Sequence, residues 1–298
     1  HSDAAHKAPE YLYEYAGKLY CCYRDSNHVV SIEETPEVHS LTGSQPTRML
    51  DYNGSLFVTL FSSGKVAEYD GSSWTYHPVG DKPYGMTIRE GNLLVTCSNE
   101  IYQYDGSLWS VLAGSSIFGE DASLKGITTL SGVLFVACSS QNLIYRYDGS
   151  NWLIDSFEGT YPLNFETFNN ELYVCCYISS DVYKITSATD TTWARVSSTG
   201  NYPIDLKFLA APSNIDLPDS EWTYPSQLYA LCNDESGRVF TSTGGAFSHP
   251  SSVEWHLSYN SNLDLYFSRW DYTLYYFDGL WWTRCLHGHR GSSAPNFQ

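Results

Sequence analysis

The sequence predicts an all-β protein made of repeated four-stranded antiparallel units. Three observations carry this expectation: one pattern recurs along the chain, Asn-Gly and Asp-Gly dipeptides punctuate it where hairpins need tight turns, and no stretch carries a 3.6-residue apolar stripe. The pattern is an apolar strand, a tight turn, a Leu-aromatic-Val strand, and a strand ending Tyr-Asp-Gly-Ser-x-Trp. Its Leu falls at Leu19, Leu56, Leu93, Leu134, Leu172, Leu228 and Leu265, at intervals of 37, 37, 41, 38, 56 and 37 residues.

Each copy divides into four short strands. In the second copy these are expected at about Arg48–Tyr52, Ser55–Phe61, Lys65–Tyr69 and Ser73–Pro78. Asn53-Gly54 separates the first pair and Asp70-Gly71 the last pair, each read as supplying the positive φ of a two-residue turn. Leu56, Val58 and Leu60 share one face of the second strand, and Phe57 and Thr59 the other. A four-stranded sheet of this kind cannot cover both faces alone. Seven such units packed radially would, so the fold expected is a seven-bladed β-propeller of four-stranded antiparallel blades. Trp74, Trp109, Trp152, Trp193 and Trp282, with Phe247, occupy one slot of the fourth strand and read as packing wedges.

The repeat resembles the broad kelch-like or galactose-oxidase-like propellers over roughly residues 9–286. It departs from the kelch pattern, since Thr96-Cys97, Ala137-Cys138 and Cys175-Cys176 stand where Gly-Gly is expected. It departs from the Asp-box, since Asp70-Gly71-Ser72-Ser73-Trp74 is one residue shorter. The resemblance therefore implies architecture and no particular function. Residues 1–8 are read as an N-terminal extension, 9–286 as the propeller and 287–298 as a C-terminal tail. An insertion of about 211–226 in the sixth copy, with Trp222, Tyr224 and three prolines, reads as a docking segment or lid. Copy one opens on an inner strand and copy seven closes on an outer one, so no blade is shared between the termini.

Composition narrows the function classes. Formal charge is −17, from 33 acids against 16 bases, which disfavours nucleic acid and anionic membranes as partners. Aromatics make up 16 % of the chain, including 25 Tyr and 9 Trp, enough to fill a core and argue against disorder. The longest apolar runs, such as Val133–Cys138, are strand-sized, so no membrane insertion is expected. A chain beginning at His1 is expected to be a mature product, a trimmed form or part of something longer.

Eight cysteines raise the question of disulfides. Cys97, Cys138, Cys176 and Cys232 occupy equivalent slots of different copies, too far apart to bridge. Cys21-Cys22 and Cys175-Cys176 point to opposite faces of their strands. Free thiols favour folding in a reducing compartment, and a virion component made in a host cytosol would also fit. The cysteines lack C-x₂-C spacing, and His287-x-His289 is a weak tail pair. No metal or cofactor is expected.

Catalytic motifs are missing: there is no G-x-S-x-G, no phosphate-cradling loop and no H-E-x-x-H. Asp70, Asp105, Asp148 and Asp278 recur in turns and read as structural. Of the acids that break the repeat, Asp205 stands out, because it opens an inner strand. It is expected to face the central channel with Arg48 and Asn164. Variable connections, Thr35–Thr47, Val79–Gly85, Leu112–Leu124, Glu158–Leu163 and Ser197–Pro203, should gather on one face. That face is expected to expose Tyr84, Phe118, Tyr161, Tyr202 and the Trp270-Asp271-Tyr272 run. Aromatic rings beside Asp and Asn suit sugars.

The ligand-binding candidates are thus Trp270, Asp271, Tyr272, Tyr84, Tyr202 and Asp205, with no catalytic residue. The expected function is a non-enzymatic binding or assembly module for a glycan or protein partner, within a larger chain or assembly. A surface or virion-associated receptor-binding component would suit it. The alternatives are a glycan-acting enzyme at the channel mouth and an intracellular kelch-like scaffold.

Overall fold

A computed structural model describes residues 9–23, 27–32 and 36–198, together with the backbone of strands between 203 and 287 and the side chains of Asp205 and Leu206. Among the described residues the strands pair into seven four-stranded antiparallel sheets, each a simple meander of consecutive strands. The second sheet is typical: β5 (Pro46–Tyr52), β6 (Ser55–Leu60), β7 (Lys65–Tyr69) and β8 (Trp74–Pro78). The first strands of the sheets are β1 (Pro9–Tyr15), β5, β9 (Met86–Arg89), β13 (Leu124–Leu130), β17 (Pro162–Phe168), β21 (Pro203–Leu209) and β25 (Trp255–Tyr259). Each packs on the first strand of the next sheet, and β25 packs on β1. The first sheet uses only N-terminal strands, and the last ends on β28 (Trp282–His287), which takes in His287.

Face-to-face packing explains why the second strands are apolar on both sides. In β6, Leu56, Val58 and Leu60 join a cluster with Tyr20 and Met49, facing the preceding sheet. Phe57 joins Leu93, Val95 and Tyr104 of the following sheet. Alternate residues of one strand therefore belong to two different cores, and both are sealed from water. Burying a side chain such as Phe57 stabilises by roughly 1.5–3 kcal/mol.

The two kinds of turn differ in mechanism. Between first and second strands, both central residues take positive φ: Asn53 51° and Gly54 83°, Glu90 52° and Gly91 80°, Ser131 50° and Gly132 82°. These are two-residue turns matched to the sheet twist. The Asp-Gly connections are not of that kind, contrary to expectation. Tyr69 pairs with Trp74, leaving four residues in the loop. Asp70 Oδ1 accepts the backbone N–H groups of Ser72 (2.8 Å) and Ser73 (2.7 Å). Asp105 does the same for Ser107 and Leu108, and Asp148 for Ser150 and Asn151. Only the Gly has positive φ, 93° at Gly71. The Asp is fixed by its carboxylate, not by its backbone freedom.

The fourth-strand Trp stacks on the Tyr opposite it: Trp74 on Tyr69, Trp109 on Tyr104 and Trp152 on Tyr147, with centroids 4.8–4.9 Å apart. His39 and His77 of the preceding sheets close over the first two stacks. Trp193 departs from the series. It is buried just before its strand and donates to Asp155 Oδ2 (2.8 Å). Asp155 also accepts from Arg146 Nε (2.6 Å), and Arg146 donates to the carbonyls of Ala188 and Asp190. This buried network staples the fourth sheet to the fifth.

Two expectations about the variable face need correction. Residues 37–40 of the Thr35–Thr47 connection form the outer strand of the first sheet. Phe118, expected to be exposed, is 1 % exposed. It ends a one-turn helix, Ser115–Phe118, that drops its ring edge-on against Tyr145 and Trp152. All six described cysteines, Cys21, Cys22, Cys97, Cys138, Cys175 and Cys176, are buried free thiols. Cys232 and Cys285 side chains lie outside the described residues. No helix among the described residues is long and apolar enough to cross a membrane.

Candidate functional site at the channel mouth

Five of the first strands begin with an irregular register. Pairing skips between Pro46 and Met49, Leu124 and Ile127, and Pro162 and Phe165, and shifts after Pro9 and Pro203. Such a bulge turns one residue out of the ladder. The slot two residues after a Pro in five cases and after Leu124 in the sixth holds Tyr11, Arg48, Gly85, Gly126, Asn164 and Asp205; Arg48, Gly126 and Asn164 fall in the skipped register, while Tyr11 and Asp205 pair with Cys22 and Leu231. All six border one cavity of about 120 Å³.

Buried threonines stabilise this irregular backbone. Thr59 Oγ1 accepts the Arg48 N–H (3.0 Å) and donates to the Tyr84 carbonyl of the next sheet (3.1 Å). Thr96 repeats the device, accepting from Gly85 N–H (2.8 Å) and donating to the Lys125 carbonyl (2.7 Å). Cys175 Sγ reaches the Asn164 carbonyl at 3.6 Å in the same slot. The two glycines are steric requirements. A Cβ on Gly85 would lie 2.4 Å from the Lys125 carbonyl oxygen, and one on Gly126 would lie 2.5 Å from that of Leu163.

Arg48 is the central charge. Its guanidinium carbon sits 4.9 Å from the Tyr11 ring centre and 4.7 Å from that of Tyr84. It donates to the Thr47 carbonyl (2.9 Å) and to Tyr84 Oη (3.1 Å). Burial pulls its pKa down, but Tyr84, Asp205, Tyr11 and Glu10 outweigh that and hold it above the ordinary arginine range. The guanidinium is thus fixed in place and permanently charged. Lys125 Nζ lies 4.9 Å from the Tyr84 ring centre and 5.3 Å from that of Phe61.

Of the residues expected to bind a ligand, two fall together here. Asp205 is buried, borders the cavity and acts on Arg48; its Oδ1 accepts the Leu206 N–H (3.0 Å). Tyr84 is half-buried, held by Arg48 and set edge-on to Phe61. It forms a wall of the Arg48 site and is no free surface ring. Tyr161 packs on Tyr177. Trp270, Asp271, Tyr272 and Tyr202 lie outside the described residues. Sequence reasoning missed Tyr11, Lys125 and Glu166, although the recurring Pro two residues before the slot marks Tyr11. The cavity is bordered by Glu166 as well as Asp205. Among the described residues no group of three or more His, Cys, Asp or Glu could hold a metal.

No family profile matches the chain, and no curated protein sequence does. Solved structures are similar in fold. A streptogramin B lyase superposes with a TM-score of 0.70 at 12 % identity, covering 90 % of this chain and 92 % of that one. Virginiamycin B lyase from Staphylococcus aureus gives 0.68 at 14 %, covering 89 % and 93 %. The WD40 β-propeller domain of Doa1 gives 0.65 at 9 %, covering 90 % and 92 %. At such identities the likeness extends to the fold alone: this chain is an all-β repeat protein of propeller type.

Proposed function

We propose that the chain is a closed seven-bladed β-propeller acting as a non-enzymatic binding module, with its partner, a glycan or protein, taken at the channel mouth. The observation that carries the reading is Arg48, clamped between Tyr11 and Tyr84 and bordering a cavity with Asn164 and Asp205. A permanently charged group fixed on both faces loses little freedom when it meets a ligand, which favours binding. The packing of β25 on β1 supports ring closure. The Trp270-Asp271-Tyr272 run and Tyr202 would form the outer rim of the same face. Binding of the whole chain to a glycan array and to partner extracts tests this. Asp205→Asn and Tyr84→Ala should each weaken retention about tenfold or more at unchanged secondary structure; undiminished retention by both variants would refute the site.

A second reading, an enzyme at the same mouth, is favoured by one observation: Glu166 and Asp205 border one cavity. Paired carboxylates can divide general acid and base roles, and the lyases among the structural neighbours are enzymes. Turnover of aryl glycosides that disappears in Asp205→Asn would decide for that reading.

A further inference from the structure

We infer that the channel-mouth cavity takes a single neutral sugar ring, rather than an anionic sugar or an amine; the inference rests on the binding-module reading above. Size comes first. The cavity measures about 120 Å³. Drug-sized ligands need ~300 Å³ or more. The cavity therefore admits one ring or one side chain.

Charge narrows the class. Among the described residues bordering the cavity, Arg48 is the one cation and Glu166 and Asp205 are carboxylates. Glu10 also acts on Arg48 from the same end of β1. The guanidinium charge is thus already matched, and a further carboxylate would meet two of its own sign. An alkylammonium would sit beside a fixed guanidinium of its own sign, and it has donors only, so it offers no acceptor to Arg48 or Asn164.

Hydroxyl groups both donate and accept. Vicinal hydroxyls can therefore give to Asp205 and Glu166 while taking from Arg48 and Asn164. Tyr11 and Tyr13, whose rings also pack on the core cluster between the first two sheets, border the cavity beside Met49 and Leu50 and add apolar edge for the C–H face of a sugar. Gly85 and Gly126 contribute backbone to the lining. An alternation of donors and acceptors around one small cavity, with rings beside it, is the recognition chemistry of a polyol ring.

The test uses the whole chain and saturation-transfer NMR with methyl glucoside, galactoside and mannoside, methyl N-acetylneuraminoside and propylamine. At least one neutral hexoside should bind saturably and better than the sialoside or the amine. Its affinity should fall about tenfold, the value of roughly one hydrogen bond, in Asn164→Ala and in Asp205→Asn, at an unchanged circular-dichroism spectrum. Should Asn164→Ala unfold, Asp205→Asn, of equal volume, carries the comparison. If the sialoside or propylamine binds best and both variants lose it, the sugar class is wrong while the site stands. Hexoside binding that neither variant weakens overturns the sugar inference and the site together. Binding of none of the five probes overturns the sugar inference, and the array experiment then judges the site separately.

Discussion

Individual residues in this protein separate into those that hold the sheets together and those that border the cavity. Thr59 belongs to the first kind. Thr59→Val removes an acceptor from Arg48 N–H and a donor from the Tyr84 carbonyl, and should cost about 1–3 kcal/mol in chemical denaturation; Thr59→Ser should restore most of it. Phe118→Ala should cost about 3–5 kcal/mol and leave ligand affinity unchanged in whatever stays folded, because its ring lies in a core cluster. The Arg146–Asp155 pair is buried on both sides. Burial pushes the Asp155 carboxyl up against the pull of Arg146 and Trp193. Arg146→Met would leave that carboxylate unpartnered by its cation and should destabilise by about 3–5 kcal/mol. That Arg48, Asn164 and Asp205 share one cavity was legible from their place at inner-strand starts. Phe118 was misread because a one-turn helix of four residues leaves no periodic trace, and so a loop aromatic looked exposed.

At the scale of the element, the strands and the Asn-Gly turn were legible and the Asp-Gly turns were not. The second-copy strands fall within two residues of their expected bounds, since alternation and turn dipeptides mark them directly. The dipeptide Asp-Gly could not reveal a four-residue loop, because the decisive contacts come from the Asp carboxylate. Those contacts make the turns acid-sensitive. Hydrogen bonds from the following backbone and hydroxyl groups hold the Asp70, Asp105 and Asp148 carboxyls below the usual carboxylate range. A depressed folded-state pKa contributes stability above the unfolded value of about 3.9, lost as pH falls through the folded value. Asp155, shifted upward, works in the opposite sense and is outnumbered. Melting temperature should therefore drop as pH is lowered below about 4, and a triple Asn variant at 70, 105 and 148 should flatten that drop. An unaltered slope would contradict the turn assignment. Burial also pushes the Cys97 thiol up to about 12, so it should resist thiol reagents in the native state. Titration of the denatured, unreduced chain should find at least Cys97, Cys138, Cys176 and Cys232 free.

For the whole molecule, the seven Leu positions announced the sheets because every copy must bury the same strand on both faces. The ligand was not legible, because the cavity draws residues from six sheets that lie far apart in the sequence. The rim is a separate matter. If Trp270 belongs to the partner face, Trp270→Ala should weaken association by about 2 kcal/mol or more with little change in melting temperature. If it packs down, stability should fall by about 3 kcal/mol instead.

The most direct measurement is a crystal structure of the whole chain soaked with the neutral hexoside that binds best. The expected result is seven four-stranded blades about one axis, with the sugar ring beside Arg48 and its hydroxyls on Asn164 and Asp205. Six or eight blades, or a sugar bound elsewhere with this cavity empty, would contradict it.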